Sequence, residues 1–111
     1  MIEIDILGYM SGQLEEPCYM MRPSEAPEKS VLIEKTGSGE DNQIVTSTFA
    51  FQSYAPTLLE AAELNEKVKA AAKGLISLGG ITKSAFQTDY NFTNTANKQP
   101  RYQAVFDITH Y

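Results

Sequence analysis

The segment TLLEAAELNEKVKAAAKGLISL, from Thr57 to Leu78, constrains the fold more than any other part of the chain. Thr57 and Glu60 stand at capping-box spacing, where the threonine oxygen takes an orphan N–H and the glutamate reaches back to the cap. Ala61, Leu64, Val68, Ala71, Ala72 and Leu75 follow at steps of three and four, which makes one apolar stripe. Glu60, Glu63 and Glu66 precede Lys67, Lys69 and Lys73, the order that complements the helix dipole, and Glu63–Lys67 is a predicted i,i+4 pair. Gly79 and Gly80 provide the stop. Such a helix is about 30 Å long, enough to cross several strands, and its one-sided stripe calls for a sheet beneath it.

Strands are written on both sides of it. VLIEK (Val31 to Lys35) and IVTSTFAFQSY (Ile44 to Tyr54) flank the polar turn TGSGEDNQ, with Gly37 and Gly39 to supply positive φ and Asp41 and Asn42 to favour local bonds to the backbone. In the last third, Phe86, Thr88, Tyr90 and Phe92 alternate with Gln87, Asp89 and Asn91. Tyr102, Ala104, Phe106 and Ile108 form a second series with period two, which predicts a closing hairpin joined by TNTANKQP. At the start, Ile2, Ile6, Met10 and Leu14 give a narrow stripe for a short helix, weakened by Gly8 and Gly12 and bounded by Pro17. CYMM suggests a short extended piece before the loop with Pro23 and Pro27. The expected fold is a single α+β domain, residues 1–111, in the order α-β-β-β-α-β-β. Its mostly antiparallel sheet of four to five strands carries one long helix and a short N-terminal helix.

Composition narrows the function. The formal net charge of -5, from 14 acidic and 9 basic residues, argues against a phosphate-backbone partner, and the basic residues form no run. MIEIDILGYM carries Glu3 and Asp5 inside its apolar stretch, so it makes a poor signal peptide, and no apolar run approaches a membrane span. Synthesis in a cytosol is expected, which leaves the Asn91-Phe92-Thr93 sequon a chance match.

No catalytic, cofactor or metal constellation is legible. Cys18 and His110 are the only residues of their kinds, and a Cys–His pair requires the fold to join them. Cys18 reads as a small apolar filler and His110 as a frayed or partner-facing residue. One Cys and one His do not compose a structural zinc site. Glu15-Glu16 and Glu40-Asp41 read as solvated charge at a helix end and a hairpin tip, not as an acid–base pair in a cleft. Gly37-Ser38-Gly39 begins like a dinucleotide loop, but Asn42 stands at the third glycine's place, and the segment opens no helix.

The sheet says more. Val45, Phe49 and Phe51 share one face of their strand, while Ile44, Thr46, Thr48, Ala50 and Tyr54 share the other. One long helix covers one face. The second face is either ordinary solvated sheet or a subunit interface, and the sequence leaves both open. The candidate contacts are Gly37, Ser38, Gly39, Glu40, Asp41 and Asn42 of the tip, with Asn94, Asn97, Lys98 and Arg101 of the last connection.

Two long segments carry a family resemblance: VLIEKTGSGEDNQIVTSTFAFQSYAPTLLEAAELNEKVKAAAKGLISL and YNFTNTANKQPRYQAVFDITHY. In wording and order they resemble the tail-terminator or tail-completion (head–tail joining) proteins of long-tailed phages and prophages. The resemblance implies a homo-oligomeric ring, usually a hexamer, that caps the tail tube and meets the head-connector proteins. It implies assembly in the bacterial cytoplasm and residence in the virion. The alternative is a small-molecule-binding regulatory α+β module; an enzyme using Cys18 or His110 ranks third.

Overall fold

Thr57 caps the long helix as its spacing requires, its Oγ1 accepting the N–H of Glu60 at 3.2 Å, although Glu60 makes no return bond. In the computed structural model, which describes residues 1–111, the elements are α1 (Ile2–Gln13), β1 (Cys18–Tyr19), β2 (Ser30–Asp41), β3 (Ile44–Tyr54), α2 (Leu58–Lys73), β4 (Ile81–Asn91) and β5 (Arg101–His110). The fold is α+β. The helix ends before the two glycines assigned to its stop: Gly74 caps α2, a 3₁₀ turn carries on to Ser77, and Gly79 and Gly80 serve the turn into β4. Gly74 leaves room for the Tyr9 hydroxyl of α1, which would have to move aside for a Cβ there.

The five strands lie in the order β1-β2-β3-β5-β4, antiparallel except for the short parallel pair β1–β2. Val31, Ile33, Phe49, Phe51, Ala104, Phe106 and Ile108 fill one face of the sheet. Leu64, Val68 and Ala72 of α2 and Ile6, Met10 and Leu14 of α1 join the same core cluster. Phe106 meets Phe51 edge-on at 5.7 Å and Phe86 at 5.5 Å, the geometry favoured by the ring quadrupole. Lys35 of β2 pairs with Glu3 of α1 at 3.3 Å. Both helices therefore lie on one side of the sheet, and the other side has no helix.

Four local readings need correction. The β2–β3 turn is only Asn42-Gln43, with φ of 51° and 68°, a two-residue hairpin turn of the primed kind. Gly37, Gly39, Glu40 and Asp41 lie within β2, and neither glycine has positive φ. In β4 the register shifts between Phe86 and Thr88, a bulge that divides the expected alternation. Phe86 stays with the helices, whereas Thr88 and Tyr90 point to the bare side. Lys67 ignores Glu63 and donates to both carboxylate oxygens of Glu16, at 3.0 and 2.9 Å. Glu16, expected in solvent, is buried there, with Lys29 at 3.7 Å.

Gln43 holds a left-handed conformation that a side chain disfavours by about 1 kcal/mol, and Asn-Gly is the preferred pair for this turn. Gln43→Gly should raise stability by roughly 0.5 kcal/mol after glycine's greater unfolded-state freedom is offset, read as a higher urea midpoint.

A second expectation concerns pH. Burial pushes the Glu16 carboxyl up, but the hydrogen bonds and charge of Lys67 outweigh it and leave it below the usual carboxylate range. Glu3 is lowered mainly by a backbone hydrogen bond, and Asp89 mainly by the hydrogen bond from Lys69, which is itself raised by Asp89. The three carboxylates contribute stability above the unfolded carboxyl values, about pH 4, and lose it as pH falls through their lowered values. Lys69 contributes below about pH 10.4 and loses its share only above that. Urea midpoints should hold through neutral pH and fall in acid, and Glu16→Gln should flatten the acid limb.

Candidate functional site

Period-two alternation sends Leu32 and Glu34 of β2, Thr46 to Tyr54 of β3 in steps of two, and Arg101, Gln103, Val105, Asp107 and Thr109 of β5 to the bare side. These side chains bond to one another in rows across the strands. Gln52 Nε2 donates to Glu34 Oε1 and to Gln103 Oε1, both at 3.0 Å, and Gln103 Nε2 donates to the Tyr90 hydroxyl at 2.6 Å. One continuous row thus crosses β2, β3, β5 and β4. Thr48 donates to Asp107 at 2.7 Å, and Thr46 bonds Thr109 at 3.2 Å. Gln52 and Gln103 are only 6% and 8% exposed although no layer covers them, so neighbouring side chains exclude the water.

One end of this face is arginine and aromatic. Arg101 Nη1 donates to the Tyr54 hydroxyl at 2.8 Å and to Gln52 Oε1 at 3.2 Å. Its guanidinium lies 4.6 Å from the centre of the Phe92 ring. Arg22, from the loop before β2, stacks 4.3 Å over the Tyr54 ring. Neither arginine has an ion-pair partner. Asn94, Asn97 and Lys98 lie in the adjoining loop, where the two Asn side chains accept from the backbone two residues on and Lys98 has φ of 54°.

The opposite end is an acidic ribbon. Every residue from Glu34 to Ile44 is exposed, so the outer part of β2 and its turn bury no core, while β3 beside them stays paired with β5 as far as Val45 and His110 and buries Ser47. A bulge between Lys35 and Gly37 marks where this outer part begins. Ser38, Glu40 and Asp41 sit on this ribbon, and neither carboxylate is ion-paired. Two groups of expected contact residues, Gly37 to Asn42 and Asn94 to Arg101, therefore occupy opposite ends of a molecule 43 Å long. Sequence reasoning missed Arg22 and the two glutamines. Arg22 and Arg101 share no sequence spacing, and only the sheet brings them together.

Elsewhere, α1, the turn into β4 and the end of β5 border an open groove of about 690 Å³, with Ile4, Asp5, Tyr9, Leu78 and His110 among its lining. A 2.9 Å hydrogen bond joins His110 Nε2 to Ser47 Oγ of β3. Cys18 lies at the other end of the sheet, opposite Val31, and burial raises its thiol above the ordinary value. The fold therefore does not join Cys18 to His110. No three His, Cys, Asp or Glu side chains gather as a metal-holding group. No helix is long and apolar enough to cross a membrane.

Neither a protein-family model nor a curated protein sequence matches this chain.

Gln52 sits at the junction of the row, bonded to Glu34, Gln103, Tyr54 and Arg101. Gln52→Ala leaves buried Gln103 short of a partner and should cost roughly 1–3 kcal/mol in chemical denaturation. Glu34→Ala, at the solvated end of the row, should cost under about 1 kcal/mol.

Proposed function

We propose that this chain is a phage or prophage structural protein of the tail-terminator or head–tail joining kind, acting by closure into a homo-oligomeric ring. The observation that carries the reading is the unequal division of the molecule: two helices on one face of the sheet, a bare face opposite them, and at one end a β2 edge and turn that are exposed throughout. The outer part of β2 is an unpaired sheet edge, because β1 covers only Val31 and Leu32, and a partner surface gives that edge something to bury. Unlike patches at opposite ends of one subunit suit head-to-tail contacts, which close when the rotation permits. The resemblance of the hairpin, helix and closing strands to the tail-terminator proteins supplies the biological context. In that setting the ring caps the tail tube and faces the head connector, by binding and without chemistry. Its excess of acid keeps free subunits soluble in the bacterial cytoplasm until they join the virion.

One observation favours a second reading, a regulatory module that binds a small molecule: the groove of about 690 Å³ beside α1, which brings apolar walls together with Asp5, Tyr9 and His110. A metabolite that raises the melting temperature and is lost on Asp5→Ala would favour it.

For the ring, light scattering coupled to gel filtration should show one discrete oligomer that grows with concentration, and the purified protein should cap tail tubes. A strictly monomeric species at the highest attainable concentration, without capping, sinks the proposal.

A further inference from the structure

The two ends of the sheet carry opposite charge, and neither charge is answered within the chain. Glu40 and Asp41 are exposed beside the turn of the ribbon without an ion pair, Asp41 on the bare side with Ile44 and Glu40 on the opposite side with Val45. Arg22 and Arg101 lie at the far end, both against Tyr54, with hydrogen bonds only to neutral groups: Ser30, the Pro27 and Phe92 carbonyls, Gln52 and Tyr54. Glu34, the carboxylate on the intervening row, is held by Gln52 and pairs with neither arginine. The two ends of β3 are about 33 Å apart at the usual strand rise, so the ribbon cannot reach the arginines of its own chain.

We infer that the acidic ribbon of one copy docks on the arginine–aromatic patch of the next, with Glu40 and Asp41 meeting Arg22 and Arg101 beside Tyr54 and Phe92. This inference deepens the ring reading and rests on it. Three features select a second copy as the occupant. The charges are complementary, and every subunit brings one acidic ribbon tip and one arginine patch. Their placement at opposite ends makes the contact heterologous, as closure into a ring requires. The patch is also built from Tyr and Arg, the side chains that dominate binding at interface centres, and stacking holds both guanidiniums in place before a partner arrives. Carboxylate–guanidinium pairs add charge-assisted, directional bonds that fix the register between copies. A nucleic-acid occupant fits poorly, because two arginines in a chain of net charge -5 make no phosphate track.

The test is a charge swap divided between two variants. Glu40→Lys/Asp41→Lys reverses the ribbon, and Arg22→Glu/Arg101→Glu reverses the patch. Each variant alone should self-associate at least about tenfold more weakly than the wild type. Mixed in equal amounts they should reassemble, since Lys ribbons meet Glu patches and the native halves meet each other. Association of the wild type should also weaken as NaCl rises from about 0.05 to 0.5 M. Circular dichroism and melting establish that each variant is folded. If Arg101→Glu unfolds the sheet end, Arg22→Glu in one variant and Glu40→Lys in the other give the same design without touching the buried row. An oligomer indifferent to both reversals overturns the docking and leaves the ring standing. Variants that dissociate but fail to reassemble when mixed overturn the pairing of ribbon with patch. A wild type that never associates overturns the ring reading and this inference with it.

Discussion

The aromatic layer under α2 is the contact on which the remaining structure depends. Phe49, Phe51 and Phe106 are fully buried, and they meet Leu64, Val68 and Ala72 in one cluster with the α1 residues Ile6 and Met10. Burying one such ring removes about 1.5–3 kcal/mol worth of apolar surface from water, and total domain stability is only about 5–15 kcal/mol. The chain has enough apolar helix for one such layer. α1 is too short and too weak to form a second layer, so it extends the first: Tyr9 fits over Gly74, and Glu3 reaches Lys35. The bare face follows from that allocation. It is a consequence of where the helices are spent, not of any feature of the strands alone.

A sheet face without a covering layer has to satisfy its own side chains, and this one does so sideways. Cross-strand pairs stabilise a sheet on either face, and the row Glu34–Gln52–Gln103–Tyr90 links four strands through side-chain bonds. The amides have both donors and acceptors, so each can serve two neighbours at once. The row also fixes register, since a slip of one residue would send Gln52 and Gln103 under α2 and Phe51 into solvent. The bulges after Lys35 and Phe86 interrupt the two long outer strands, β2 and β4, which hinders unlimited edge pairing.

Much of this was legible in the sequence, and the misses share a cause. Local patterns identified α2, the hairpin strands and the closing pair, because capping, helical spacing and alternation are each recorded within a few residues. The α1 stripe was equally visible, and Ile6, Met10 and Leu14 are buried as it requires. Distant partners were not. Glu16 looked like solvated charge because Lys67 lies far along the chain; Lys67 seemed committed to Glu63 for the same reason. Alternation across Phe86, Thr88, Tyr90 and Phe92 appeared unbroken, since a bulge adds one residue without a compositional mark. Of the candidate surface, the ribbon could be read from its polarity. The arginine patch could not, as its members come from the loop before β2, the end of β3 and the start of β5.

The division between core and ribbon has a further consequence for how such a subunit evolves. Residues Glu34 to Ile44 are exposed throughout, so substitutions there leave the aromatic layer untouched. Surface changes of that kind usually alter stability by no more than about 0.5 kcal/mol. If the ribbon docks as proposed, partner choice can therefore drift there while the fold stays fixed by the helix face. Arg101 is under the opposite constraint, because its bonds to Gln52 and Tyr54 tie it into the buried row. A contact between the two would join a freely variable surface to a structurally committed one. Changes in specificity would then accumulate first on the acidic ribbon, and the patch would follow only where the row of amides could adjust with it.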